Sequence, residues 1–132
     1  MAFLPHTTDG SSRPQQTEYK PAAAITPKIG MALYFSSGNL ALASGTNKPE
    51  YICMYEGPQL TAGDMIPVQR ILPDMVFETT FSASGTGLNL GQKVTLASDG
   101  LRVTATPSNG VAEVVGKEGT GATGYKVYVR FP

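Results

Sequence analysis

Glycine and proline are so closely spaced along this chain that a long helix does not fit. The 132 residues include 15 glycines and 10 prolines, and one or the other falls inside nearly every ten-residue stretch. Glycine weakens a helix interior through backbone entropy, and proline removes a helical hydrogen bond. The apolar residues instead alternate with polar ones in short runs, which is typical of β-strands. We therefore expect an all-β fold.

About nine such runs follow residue 28, with turn residues between them. They lie at 30–36, 39–44, 51–56, 64–72, 75–80, 93–98, 101–106, 111–116 and 124–131. Asp99-Gly100 between two of these runs predicts a hairpin, because both residues tolerate the positive φ of a tight turn. Pro67 cannot donate a ladder hydrogen bond, so we expect its strand at a sheet edge or with a bulge. This spacing predicts a small β-barrel or sandwich in residues 29–132.

In the first 28 residues, apolar side chains recur neither every 3.6 residues, as in a helix, nor every two residues, as in a strand. They contain four prolines and His6, the only histidine. Proline-rich segments favour extended conformations with few internal hydrogen bonds. We therefore predict an extended N-terminal arm, residues 1–28, that gains order on a neighbour by adding a strand to its sheet. The alternative is a solvated tail without a role, although Phe3 and Leu4 at its tip favour a contact.

Composition argues against several classes of protein. Ten basic and ten acidic residues cancel, and no basic stripe is visible, so we expect no nucleic-acid partner. A single cysteine, Cys53, rules out an internal disulfide. The N-terminus lacks the basic and apolar regions of a secretion signal, and the uncharged run 29–47 is too polar for a membrane span. We expect a soluble protein made in a cytoplasm, with no membrane partner.

Motifs that resemble catalytic or cofactor sites lack their required context. GTGATG at 119–124 matches a dinucleotide fingerprint, but a strand-like run follows where a helix should begin, so we interpret it as a glycine-rich hairpin loop. Cys53 alternates with Tyr51 and Tyr55 in a strand, which indicates a buried structural thiol. Nucleophilic catalysis usually needs a base beside the nucleophile, and the only histidine, His6, lies in the arm.

Acidic residues and tyrosines suggest weaker possibilities. The carboxylates considered as a glycosidase pair are scattered, and most of them lie at strand ends or turns: Glu50, Glu56, Asp64, Asp74 and Glu78. One histidine and one cysteine do not make a metal site, and we expect no cofactor. A Ser–Lys catalytic pair stays open at this point. The six tyrosines could form a sugar-stacking platform, although packing is their ordinary role in strands.

From about Tyr19 to the C-terminus, the sequence resembles the small decoration (cement) proteins of tailed-bacteriophage capsids. The resemblance rests on the order of YKPAAAITPKIGMAL, SSGNLALASGTNKPEYICM, TAGDMIPVQRILPDMVFET, LNLGQKVTLASDGLRVT and GVAEVVGKEG. It implies a compact β-barrel-like domain with an N-terminal arm, on the outer surface of the virion. It also implies a homotrimer that bridges neighbouring major capsid proteins and stabilises the expanded shell, without enzymatic activity.

We expect the capsid contact in the second half of the arm, where small and apolar residues alternate. The residues concerned are Tyr19, Lys20, Pro21, Ala22, Ala23, Ala24, Ile25, Thr26, Pro27, Lys28, Ile29 and Gly30. Two other functions remain open. A receptor- or glycan-binding β-module of the virion surface or tail would group exposed tyrosines in a loop cleft and leave the arm dispensable. A small hydrolase would place a lysine of lowered pKa beside a serine in a pocket.

Overall fold

The computed structural model describes residues 3–8 and 17–132, and within these ranges it contains ten β-strands and no helix. The strands are β1 (Leu4–Thr8), β2 (Thr17–Pro21), β3 (Ala32–Ser36), β4 (Asn39–Leu42), β5 (Tyr51–Cys53), β6 (Met65–Arg70), β7 (Met75–Thr80), β8 (Lys93–Val94), β9 (Ala112–Lys117) and β10 (Lys126–Arg130). The all-β prediction is confirmed.

The strands form two five-stranded antiparallel sheets. Sheet A has the order β1-β7-β10-β9-β8, and sheet B has the order β2-β6-β5-β3-β4. Neither sheet closes into a barrel, so the fold is two sheets packed through a shared core. Ala32 and Ile52 of sheet B belong to the same buried cluster as Phe77 and Val127 of sheet A.

Three phenylalanine rings from distant parts of the chain meet in this main core. Phe131 lies edge-on to Phe3 with ring centroids 5.5 Å apart, and 5.7 Å from Phe77. All three side chains are buried. Burying an apolar side chain of this kind contributes about 1.5–3 kcal/mol, and a well-oriented aromatic pair adds about 0.5–1.5 kcal/mol. The main core therefore fixes residue 3 to the C-terminal part of the domain.

A second buried cluster lies on the opposite side of sheet B. Alternate residues of its strands point there, including Leu33, Cys53 and Val68. The sheet curls around this cluster, because Ala22, just after β2, forms a bridge to Leu40 of β4 at the other edge. We call this the concave side, and the side that faces sheet A the convex side. Ile25 and Leu60 pack over the concave cluster and shield it.

The N-terminal segment departs from the expectation of an arm separate from the domain. β1 pairs with β7 in sheet A, and β2 pairs with β6 in sheet B. The physical reason is burial, since Phe3 and Ala22 are both 0% exposed. Pro5 and Pro21 are tolerated because both strands lie at sheet edges, where a missing donor costs least. Residues 1–2 and 9–16 of the predicted arm lie outside the described residues.

Eight of the nine predicted runs contain a strand, and the exception is 101–106. Its residues still form the predicted hairpin with 93–98, because Ala97 donates to the carbonyl of Arg102 at 2.9 Å and Thr104 donates to that of Thr95 at 3.0 Å. Only Val103 forms bridges, to Phe81 and Leu96. Residues 101–106 divide their backbone hydrogen bonds between residues 95–97 and residues 80–82. A continuous ladder with either neighbour therefore does not develop.

The prediction for Pro67 is wrong, because β6 is flanked by β2 and β5 and its register is unbroken. The carbonyl of Pro67 accepts a hydrogen bond from Met54 at 3.0 Å, one residue beyond the end of β5. The N and the O of one residue point to the same side of a strand. The nitrogen of Pro67 therefore faces the position just beyond the end of β5. No hydrogen bond of the β5–β6 ladder is lost.

Candidate functional site

The predicted contact residues 19–30 do not form one exposed surface. Ala22, Pro27 and Gly30 are buried, Lys20, Pro21, Ala23 and Ile25 are half-buried, and Tyr19, Ala24, Thr26, Lys28 and Ile29 are exposed. Tyr19, Ala24 and Thr26 each lie between less exposed neighbours, whereas Lys28 and Ile29 are adjacent and both exposed. A contact made by this segment must therefore use separate side chains or include residues from other strands.

Backbone hydrogen bonds tie the same segment to its own domain. Ala22 donates to the carbonyl of Asp64 at 2.8 Å, and Ala23 donates to that of Leu40 at 2.8 Å. Further along, the carbonyl of Ile25 accepts from Leu60 at 2.8 Å. Because these bonds join the segment that follows edge strand β2 to the start of β6 and to edge strand β4, the segment spans the open side of the curl and cannot leave without exposing the concave cluster.

An exposed apolar surface occurs instead on the convex side of sheet B, beyond the area that sheet A covers. We call it the convex patch and define it by Tyr19, Pro21, Met54, Met65 and Pro67. Tyr19 lies opposite Pro67 and Pro21 opposite Met65 in the β2–β6 register, so all four side chains share one face. Tyr19 is 65% exposed, Met65 59% and Met54 40%. The patch thus unites two residues of the predicted contact segment with three that lie outside that segment.

Met54 and Met65 were missed because each stands in a run that also supplies buried residues. Cys53 and Ile66, their chain neighbours, are buried on the concave side. Alternation alone says that Met54 and Met65 point the other way. It does not say which parts of that face sheet A covers, and this depends on the packing of the two sheets.

Charged and aromatic side chains on the concave side of sheet B fix β2, the strand that carries Tyr19 and Pro21 of the patch on its other face. Arg70 donates to Glu18 through Nε at 3.0 Å and through a second guanidinium nitrogen at 3.2 Å. The Arg70 guanidinium also lies 5.1 Å from the centre of the Tyr51 ring. Lys20 Nζ lies 3.5 Å from the same Glu18 carboxylate. Paired hydrogen bonds of this geometry favour one register of β2 on β6, and the register sets where Tyr19 lies.

Acid should weaken this link. The hydrogen bond from Arg70 lowers the pKa of Glu18 from its ordinary value of 4.5. Because the pKa is lower in the folded state, the stabilising contribution is present above about pH 4.5 and is lost as the pH falls through the folded pKa. We expect wild-type protein to exceed Glu18→Gln in stability at pH 7, and the difference to shrink on acidification. Urea unfolding of both proteins from pH 7 to pH 3 measures it, and a gap that stays constant with pH would refute the link.

Other candidate chemical groups have structural roles. Burial raises the pKa of Cys53, whose thiol donates to the carbonyl of Tyr55 at 3.1 Å, as expected of a structural cysteine. Of the scattered carboxylates, Glu50 accepts from the amide of Phe35 and Asp64 from the amide of Thr61. GTGATG at 119–124 lies in the loop between β9 and β10, as predicted. Among the residues whose side chains the structure describes, 3–5 and 17–132, no three metal-ligating side chains cluster.

The glycan-binding alternative requires exposed tyrosines grouped in a loop cleft, and the hydrolase alternative requires a lysine beside a serine in a pocket. The exposed tyrosines lie on separate elements: Tyr19 in β2, Tyr55 after β5, and Tyr125 before β10 of the other sheet. Lys117 donates to the carbonyls of Gly85 and Leu88 at 3.1 and 2.7 Å. Among the described residues, no helix is long and apolar enough to cross a membrane.

An apolar groove of about 310 Å³ opens between residues 25–28, which follow β2, and the hairpin at Asp99. Ile25, Leu42, Leu101 and Lys28 are among the residues that line it. The Asp99 carboxylate there is already engaged, since it accepts from the amide of Leu101 and from Arg102 at 2.9 Å each. The groove therefore offers mainly apolar contacts and no free set of converging polar groups.

Comparison of the sequence with protein-family models and with curated proteins returns no match. The convex patch, whose strand β2 is held on β6 by the Glu18–Arg70 pair, is the surface on which a functional proposal can be built.

Proposed function

We propose that this protein is a non-enzymatic structural protein that binds the outer surface of a bacteriophage capsid. In this role it assembles as a homotrimer and bridges neighbouring major capsid proteins, which stabilises the expanded shell. The resemblance of residues 19–132 to capsid decoration proteins supplies the class of function. The convex patch supplies the contact surface, and it is the observation on which the proposal depends.

Three features make the convex patch suitable for binding another protein. Tyrosine and methionine are enriched at protein interfaces, and Tyr19, Met54 and Met65 provide both. An apolar area uncovered on a sheet face is a common mark of such an interface. Pro21 and Pro67 add rigid apolar surface between them, so little side-chain entropy is lost when the area is covered.

Repetition lets a small contact have a large effect. A capsid offers many equivalent positions, so each copy needs only modest affinity to raise the stability of the whole shell. If each trimer presents three convex patches, they bind with an effective concentration set by the trimer, and overall affinity exceeds that of one patch. The near-zero formal charge leaves little electrostatic repulsion between crowded copies.

Binding to shells tests the proposal. Expanded tailed-phage capsid shells that lack this protein are sedimented with the full chain, with Tyr19→Ala/Met65→Ala and with Leu90→Ala. Leu90 is 62% exposed but lies between β7 and β8 of sheet A, outside the patch, so it is the matched control. We expect the wild type and the control to co-sediment and the patch variant to lose about tenfold or more in affinity, as expected when central interface residues are truncated.

Point variants are preferable to removing residues 1–28, because that deletion would also remove buried Phe3 and Ala22 from the two cores. Circular dichroism and urea unfolding of the patch variant establish that it is folded. Equal binding by all three proteins would move the contact away from the patch, and absence of wild-type binding would contradict the capsid function itself.

A further inference from the structure

The outer edge of β4 is covered along only part of its length. At Leu40 the edge is occupied, because Ala22 forms a bridge to it and Ala23 donates to its carbonyl at 2.8 Å. This pairing then stops, because the amide of Ile25 donates to the carbonyl of Ala23 at 2.8 Å and not to β4. Such a three-residue γ-turn leads the chain away from the strand. Leu42, two residues beyond Leu40, is therefore an uncovered position of the edge.

The backbone groups of Leu42 point away from sheet B. Its neighbour Ala43 faces β3, since the amide of Ala43 donates to the carbonyl of Ala32 at 2.8 Å. Successive residues of an extended strand direct their backbone groups to opposite sides, so those of Leu42 face outward. Among the described residues, no hydrogen bond of the Leu42 amide or carbonyl occurs. The edge thus presents one donor and one acceptor to a further strand.

The apolar groove lies beside this uncovered position. Leu42 lines it together with Ile25 and Leu101, and all three pack against the concave cluster. Directly opposite residues of neighbouring strands point their side chains to the same face of a sheet. A residue added opposite Leu42 would therefore direct its side chain into the groove. The volume of about 310 Å³ is at the lower end of the range for ligand pockets, roughly 300–1,000 Å³.

The charge around the groove favours an acidic occupant. Lys28 lines the groove and is exposed, and its side chain forms no ion pair with a described residue. Asp99, which also lines it, is held by Arg102 and by the amide of Leu101. The uncompensated charge is therefore positive, and a carboxylate on the occupant would complement it.

We propose that the edge at Leu42 and the adjoining groove bind an extended peptide segment of a partner protein by strand addition. The segment carries an apolar residue that enters the groove and an acidic residue within two positions of it, which pairs with Lys28. Backbone hydrogen bonds to Leu42 hold the segment, and the groove and Lys28 select its sequence. The site lies on the concave side of sheet B, so the proposal does not depend on the convex patch or on binding to a capsid.

Selection of short random peptides displayed on yeast tests the proposal, with the full chain as the target. Leu42→Pro removes the outward amide and breaks no internal hydrogen bond, and proline is tolerated on an edge strand where its missing donor faces solvent. Lys28→Glu reverses an exposed charge, and Leu90→Ala is the control on sheet A. We expect selected peptides to combine an apolar and an acidic residue. They should bind wild type and Leu90→Ala equally and the other two variants about tenfold or more weakly.

Amide hydrogen exchange of the wild type separates strand addition from simple filling of the groove. In the free protein the Leu42 amide should exchange quickly and that of Ala43 slowly, and a selected peptide should slow exchange at Leu42 by about tenfold or more. Circular dichroism establishes that the variants are folded. The proposal is overturned if no peptide is enriched on wild type, or if Lys28→Glu, folded, binds the selected peptides as wild type does. It is equally overturned if bound peptide leaves exchange at Leu42 unchanged, since the groove would then hold a ligand without strand addition.

Discussion

Replacing Phe3 with alanine is expected to lower the free energy of unfolding by about 3–5 kcal/mol, as is usual for a buried phenylalanine. The ring is 0% exposed and contacts Phe131 edge-on, so its removal leaves a cavity in the main core and breaks an aromatic pair. The size of this effect would be unusual for a residue so near a chain terminus. It follows because β1 is a strand of sheet A rather than a tail.

Leu4→Ala is the matched control for Phe3→Ala. Leu4 is the next residue in the same segment, and its side chain is 39% exposed. Its replacement should cost about 1 kcal/mol or less, as for most partly exposed sites. Urea unfolding followed by tyrosine fluorescence and by circular dichroism compares the two variants with wild type. Equal, small effects would show that residues 3–8 do not contribute to the core, and the packing assigned to β1 would have to be abandoned.

Gly110→Ala should be the second severe substitution, for a steric reason. A Cβ at residue 110 would lie 2.4 Å from the carbonyl carbon of Lys93, 2.5 Å from its oxygen and 2.5 Å from the nitrogen of Val94. All three are backbone atoms of β8, so no side chain can rotate away. The turn before β9 or strand β8 must shift, and overpacking of this kind costs on the order of 1–3 kcal/mol.

Gly87→Ala separates this clash from the general effect of losing a glycine. Nothing lies within 4 Å of a Cβ built at Gly87. Alanine there should be neutral, or stabilising by about 0.4–1 kcal/mol through lower entropy of the unfolded chain. The midpoints of thermal unfolding for both variants give the comparison. If Gly110→Ala proved as stable as Gly87→Ala, the close approach of this turn to β8 would be wrong.

The strands of residues 29–132 were predictable because their signals are local. Period-two alternation and turn pairs such as Asp99-Gly100 act within a few residues, and the hairpin there forms as expected. β1 and β2 were not predictable in this way. Prolines interrupt both, and their strand conformation depends on β7 and β6, which lie about 50 to 70 residues away in sequence.

The candidate site was predictable only in part for the same reason. Tyr19 and Pro21 lie in the convex patch, whereas Ala22 and Pro27 from the same predicted segment are buried. Sequence indicates that a segment carries small and apolar residues, but long-range packing decides which of them remain exposed. Met54 and Met65 join the patch because they remain exposed on the convex face, and the pattern of the runs that contain them carries no such information.

Thermal stability of the shell is the measurement that tests the central claim most directly. Scanning calorimetry is applied to expanded capsid shells that lack this protein, alone and after saturation with the full chain, Tyr19→Ala/Met65→Ala or Leu90→Ala. A ligand that binds the intact shell and not its dissociated subunits must raise the melting temperature. We predict a higher shell melting temperature with wild type and with Leu90→Ala, and a smaller increase or none with the patch variant. An unchanged melting temperature with saturating wild-type protein would contradict a stabilising role on the capsid.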